Sequence, residues 1–365
     1  MARANVGNPK FYIDLLSYLK ASGLMTSASG GGTIDISKLI GLAPEDYLIQ
    51  EATGFGGGSN YWANEFNLEQ EYRVSDSTEQ FIAILNHNFL DAKIDGCRVE
   101  FTKDGSSTLT VESPLEVCNY PPSSTRFSYN GFSIANYNLD ADIFDKIEVL
   151  LHKDTSDGIT EAEIMIGSIA WGQVFQMPHS PNLKLTMTRE YDGVKSITSK
   201  GGSTLTQVNY NSPPLWGAFP PWYITDKNMI THNESYKEKR GSKRGRKVWD
   251  LEFSYIDSGN LFSSNESLSG INPTDSDTYS QAGYDSADFF PATGDFTSDD
   301  FQSSSFMNIV MGKTMGGALP FIFQPDGNNN SPDQFALCVI DQKSFQFKQV
   351  ANQVYNIKLK IRESW

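Results

Sequence analysis

Cysteine is scarce, and the few present do not group. Cys97, Cys118 and Cys338 are the only three in 365 residues, and none forms a Cys-x-x-Cys pair. Neither a disulfide framework nor a zinc site is expected from such spacing, and buried free thiols are the plain reading. The four histidines, His87, His152, His179 and His232, have no second His or Cys at metal-ligand spacing. HExxH, GxSxG, P-loop and GxGxxG signatures are all missing. Gly54-Phe55-Gly56-Gly57-Gly58 is glycine-rich, but no Lys-Ser/Thr follows it, so it reads as loop. No metal, cofactor or catalytic set is therefore expected. No apolar run reaches the ~18 residues of a membrane helix, and Met1 to Gly7 lacks the apolar core of a signal peptide. The expectation is a chain made in the cytoplasm, with no membrane partner. Basic charge is in deficit: 29 Lys and Arg face 44 Asp and Glu, for a net −15. Such a surface repels phosphate, so sequence-specific nucleic-acid binding is not expected.

Apolar and aromatic residues are present in quantity, at 39% and 12%. The length exceeds the ~250–300 residues at which single cores stop growing, so more than one domain is expected. Pro9 to Leu24 carries Phe11, Leu15, Tyr18 and Leu19 at helical spacing, with Gly23 as a stop, and predicts a helix. From residue 64 the pattern is β. Phe81 to Asn88 begins with an apolar run, as in a strand buried on both faces. Arg98 to Thr102, Ser107 to Val111, Phe127 to Tyr129, Phe144 to Leu151 and Ala162 to Ile169 follow as short strands. Strands this short, at spacing near ~10 residues, suit a β-sandwich.

A second β unit starts near Pro178. It holds the alternating Leu183 to Thr188, a hairpin turn at Asp192-Gly193, and Lys195 to Leu205 broken by Gly201-Gly202. Val248 to Tyr255 places Trp249, Leu251, Phe253 and Tyr255 on one face, and Tyr355 to Arg362 alternates cleanly. Phe301 to Met311 predicts a further helix. The expected fold is mainly β, with two β-sandwiches: 1–34 as helix and linker, 35–175 as the first sandwich, and 176–365 as the second. The second carries a charged arm at 237–247 and a long acidic loop at 257–300.

Few residues stand out for function. The arm has seven basic residues, Lys237, Lys239, Arg240, Lys243, Arg244, Arg246 and Lys247. It suits the acidic surface of a neighbouring subunit, a channel carrying DNA, or a solvated loop. Trp216 and Trp222 lie in a proline-stiffened aromatic loop that serves either as an interface anchor or as a cap on a core. Asn86, His87 and Asn88 read as a polar glycan face or as a strand-end turn that satisfies backbone groups. Glu161 with Glu163, and Asp299 with Asp300, are the carboxylate pairs a glycosidase reading would need, and no signature singles them out.

The stretch FIAILNHNFLDA, followed by EIMIGSIAWG, resembles galactose-binding-like β-sandwiches. LTMTREYDGVKSITSKGG, GRKVWDLEFSYI, PFIFQPDGNNNSPDQFALCVI and the final YNIKLKIRESW resemble distal-tail-type proteins of phages. The resemblance implies a non-enzymatic virion protein. Its second sandwich would assemble as a ring, commonly a hexamer, joining the tail tube to the baseplate, hub or fibres. Its first sandwich would face outward as a carbohydrate-binding module for host surface glycan.

Overall fold

The computed structural model describes residues 7–30, 34–43, 48–50, 61–73, 79–89, 92, 94–103, 106–112, 131–137, 143–153, 164–183, 186–191, 194–208, 246–262, 305–330 and 334–364. The chain is mainly β. In order, the strands are β1 (Lys10–Asp14), β2 (Met25–Gly30), β3 (Ile34–Asp35), β4 (Leu48–Gln50), β5 (Tyr61–Arg73), β6 (Gln80–His87), β7 (Ile94–Lys103), β8 (Ser106–Glu112), β9 (Gly131–Tyr137) and β10 (Ile143–Lys153). Then come β11 (Ile164–Ile166), β12 (Ser168–Gln176), β13 (Thr186–Glu190), β14 (Val194–Thr198), β15 (Thr204–Val208), β16 (Arg246–Asp257), β17 (Phe321–Gln324), β18 (Ala336–Ile340), β19 (Phe347–Ala351) and β20 (Val354–Glu363). A helix, α1 (Leu15–Ala21), follows β1 directly.

Ten strands form one sheet in the order β13-β16-β20-β18-β17-β1-β12-β6-β9, with β19 also paired to β20. A six-stranded sheet, β3-β2-β5-β10-β7-β8, covers one end of it. Between the two lies the sandwich core, centred on fully buried Trp171. The Trp171 ring sits 5.6 Å from both Phe101 and Phe144, and its indole N–H donates to the Tyr137 hydroxyl at 2.6 Å. A second core lies on the same face at the far end, under the helical turn Ser258–Leu261 and the π-helical turn Met307–Gly312. A third core, with Tyr12, Phe81, Phe132 and Phe335, occupies the opposite face.

The large sheet crosses the boundary expected at 175/176, and β1 is the reason. It pairs antiparallel with β12 on one side and with β17 on the other. The single helix expected over Pro9 to Leu24 is therefore a strand followed by a shorter helix. Phe11, Tyr12 and Ile13 are apolar in succession, which suits a strand buried on both faces. Phe11 and Ile13 enter the second core, and Tyr12 enters the third. Asp14 is extended, with φ −77° and ψ 102°, and its carboxylate accepts the Leu16 N–H at 3.1 Å to start the helix.

Other elements depart from the sequence pattern for local reasons. Trp249, Leu251 and Phe253 point into the core as expected, but Tyr255 is 75% exposed. A register shift after Phe253, with Tyr255 at φ 64°, turns Ile256 inward in its place. The turn expected at Asp192-Gly193 lies outside the described residues, though the Val194 N–H donates to the Tyr191 carbonyl across it at 3.2 Å; β13 pairs with β16. A hairpin joins β14 to β15 around Gly201-Gly202, where Gly202 adopts φ +83°. Of the helix expected over Phe301 to Met311, residues 301–304 lie outside the described residues, and Met307–Gly312 is π-helical. The strand expected at Phe127 to Tyr129 lies outside the described residues, as does most of the acidic loop.

Gly172 faces Asp14 across the β1–β12 ladder. A Cβ there would stand 1.9 Å from the Ile13 carbonyl oxygen and 2.8 Å from the Leu15 nitrogen, both backbone atoms that cannot swing aside. Gly172→Ala is expected to cost on the order of 3 kcal/mol in urea unfolding. Gly201→Ala, whose Cβ would meet only the Ser199 hydroxyl at 4.0 Å, serves as the near-neutral control.

Candidate functional site

The residues expected as a glycan face close the end of β6. Asn86 is 7% exposed at φ 53°, in a register shift against β9, and His87 is fully buried. The His87 Nδ1 accepts the Phe89 N–H at 3.3 Å. Its Nε2 therefore carries the proton and faces the Ser133 hydroxyl at 2.5 Å. The imidazole also stacks on Phe89 at 4.1 Å. Asn88 accepts the Met165 N–H on its side-chain oxygen at 2.8 Å, so it ties this turn to β11. Inward-facing groups cannot present hydrogen bonds to a sugar, which corrects the glycan-face reading for Asn86 and His87.

Of the basic arm, Arg246 and Lys247 open β16, and both are half-buried. The Lys247 N–H donates to the Glu363 carboxylate at 2.9 Å, and its ammonium lies 5.9 Å over the Trp249 ring. Burial pushes the Glu363 carboxyl above its usual range, and the Lys247 charge pulls it back down. Lys247 is thus engaged within its own chain. Lys237, Lys239, Arg240, Lys243, Arg244, Trp216 and Trp222 lie outside the described residues, as do Glu161, Glu163, Asp299 and Asp300.

Two features were not singled out from the sequence. The first is a row of glutamates across the six-stranded sheet. Glu148 on β10 pairs with Glu65 on β5 and with Glu100 on β7. Like charges directly opposite repel, and Lys146 at 2.8 Å from Glu148, with Arg98 against Glu100, offsets that repulsion. Burial raises the Glu65 carboxyl, Lys146 lowers it, and Glu148 raises it again by charge and by a shared hydrogen bond. Among the described residues, no group of three or more His, Cys, Asp or Glu could hold a metal ion. The second feature is the β14–β15 hairpin, whose described side chains are all exposed.

The most desolvated carboxylate is structural. Burial raises the Asp14 carboxyl to about 7, against lowering hydrogen bonds from Ser17, Trp171 and Leu16. The Trp171 N–H reaches it at 3.3 Å, so Asp14 binds α1 to β12 as well as capping the helix.

No family model matches the chain. Nor does any curated protein match it in sequence. Among solved structures, a CBM32 module from Clostridium perfringens in complex with GalNAc-β-1,3-galactose is similar at a TM-score of 0.27 and 10% identity, over 43% of this chain and 97% of that one. A chitosan-binding module from a Paenibacillus chitosanase/glucanase is similar at 0.25 and 12%, over 44% and 98%. The C-terminal domain of a Bacteroides fragilis chitobiase is similar at 0.25 and 13%, over 42% and 93%. What those proteins bind is a property of those proteins.

Two buried titratable side chains, Asp14 and His87, bend stability with pH in opposite directions. Asp14 titrates near 7 when folded and near 3.8 in the unfolded chain, so its contribution falls as pH rises between those values. Burial lowers His87 to about 3 from 6.5, so its contribution falls as pH drops through that window. Relative to the wild type, Asp14→Asn is expected to gain stability as pH rises from 4 to 7. His87→Asn is expected to gain as pH falls from 6.5 to 3. Chemical denaturation across that range measures both, and differences that stay flat with pH would contradict the assignment.

Proposed function

We propose that this chain is a non-enzymatic binding and assembly protein. Its sandwich, β2 to β12, recognises glycan, and its second unit docks onto copies of the chain. The observation that carries the reading is the unbroken ten-stranded sheet. A module on a linker would move freely, whereas β12 is hydrogen-bonded to β1, and β1 to β17. The sandwich is thus held at a fixed angle on its base, as a presenting platform requires. Three buried titratable groups among the described residues are committed elsewhere: Asp14 to capping α1, His87 to Ser133 and Phe89, and Glu363 to the backbone of β16.

Glycan is the ligand class that the galactose-binding-like resemblance implies for the sandwich, on surfaces other than the buried Asn86–His87 turn. The setting we propose, from the distal-tail resemblance, is a ring in the tail of a phage-like virion, next to tube and tip proteins.

The full-length chain on a glycan array that includes β-galactosides and chitosan oligosaccharides is expected to give saturable binding. Binding should survive His87→Asn, because that side chain faces inward. An array without a hit would remove glycan recognition. Antibody labelling of intact particles, read by electron microscopy, is expected to mark the tail, and label confined to capsids or to particle-free fractions would remove the setting.

A further inference from the structure

The β14–β15 hairpin belongs to neither large sheet. Among the described residues it pairs only with itself, in the register Val194↔Val208 to Thr198↔Thr204. The Ser199 N–H donates to the Ser203 carbonyl at 2.8 Å and closes the turn. Ile197 and Leu205 stand directly opposite each other, 70% and 71% exposed. A two-stranded ribbon is marginal in water by itself, and this one adds an exposed apolar pair and, among the described residues, two open edges. Strand β13, which ends the large sheet and leads into the hairpin, exposes Met187, and Tyr191 after it is exposed as well.

Charge identifies the occupant. Residues 194–208 contain Lys195 and Lys200 and no acid, a net +2 in a chain of net −15. Lys195 lies on the same ribbon face as Ile197 and Leu205, by strand alternation. A basic, apolar-centred ribbon is attracted to an acidic protein surface, and every other copy of this chain supplies one. Nucleic acid would meet the same ribbon but is repelled by the rest of the molecule.

We infer that this hairpin is the docking arm by which one copy grips the next. It rests on the assembly reading above and names the contact. Because the arm meets a surface unlike itself, the contact is head-to-tail and builds a ring or a filament.

Sedimentation velocity of the full-length chain, over a range of concentration and salt, tests the inference. The wild type is expected to associate, more weakly at high salt. Lys195→Glu with Lys200→Glu, and separately Ile197→Ser with Leu205→Ser, are each expected to weaken association about tenfold or more, with unchanged far-ultraviolet circular dichroism. Variants that assemble like the wild type would overturn the arm and leave assembly standing. A wild type that stays monomeric at high concentration would overturn both, while glycan binding would be judged by its own assay.

Discussion

Everything in this molecule leans on a five-residue strand that is hydrogen-bonded on both sides. β1 fills the gap between β12 and β17, and without it the large sheet would be two sheets. The ladder needs close backbone approach at Gly172, where any side chain would collide with β1 itself. The same strand feeds the cores on both faces. Phe11 lies among Phe175, Phe306, Phe321 and Phe323, with ring centroids 5.1 to 6.4 Å away. Tyr12 packs edge-on to Phe81 at 5.2 Å and donates its hydroxyl to Gln324 at 2.8 Å. Truncating such a buried aromatic typically costs about 3–5 kcal/mol, so this segment is matched to its site in both shape and polarity.

Three buried polar side chains are satisfied locally. Asp14, His87 and Gln324 are buried, and each meets hydrogen-bonding partners close at hand. An unpaired group in these places would carry its full desolvation cost. The perturbed titration of Asp14 and His87 thus reports burial within a cap and a turn. Outward features among the described residues include the sandwich surfaces, the glutamate row, and a hairpin that projects apolar and basic groups.

Much of the fold could be read from the chain. The alternation of Tyr355, Ile357, Leu359 and Ile361 is a half-buried strand, and the apolar run from Phe81 is a strand buried on both faces. Pattern failed where geometry is set by distant residues. Phe11 to Ile13 fit a helix by spacing, but their neighbours are β12 and β17, more than a hundred residues away. Tyr255 fits the inward face until a register shift against β20 turns it out. The pairing of β13 with β16 joins segments about sixty residues apart, which alternation within either strand does not reveal. The site was less legible still. Each of Glu65, Glu100 and Glu148 is an ordinary outward residue on its own strand. Only register across three strands places them in a row, and periodicity within one strand carries no register between strands. His87 could be read as either surface or turn until its two ring nitrogens were seen to be committed within the fold.

One sheet makes the sandwich and the second unit a single mechanical body. Native-state hydrogen exchange, followed by mass spectrometry, tests it most directly. Peptides from β1, β12 and β17 should be strongly protected and should open together, with the same denaturant dependence. A β1 that exchanges early while β12 and β17 stay protected independently would mean that the two units are merely neighbours, and the account would be wrong.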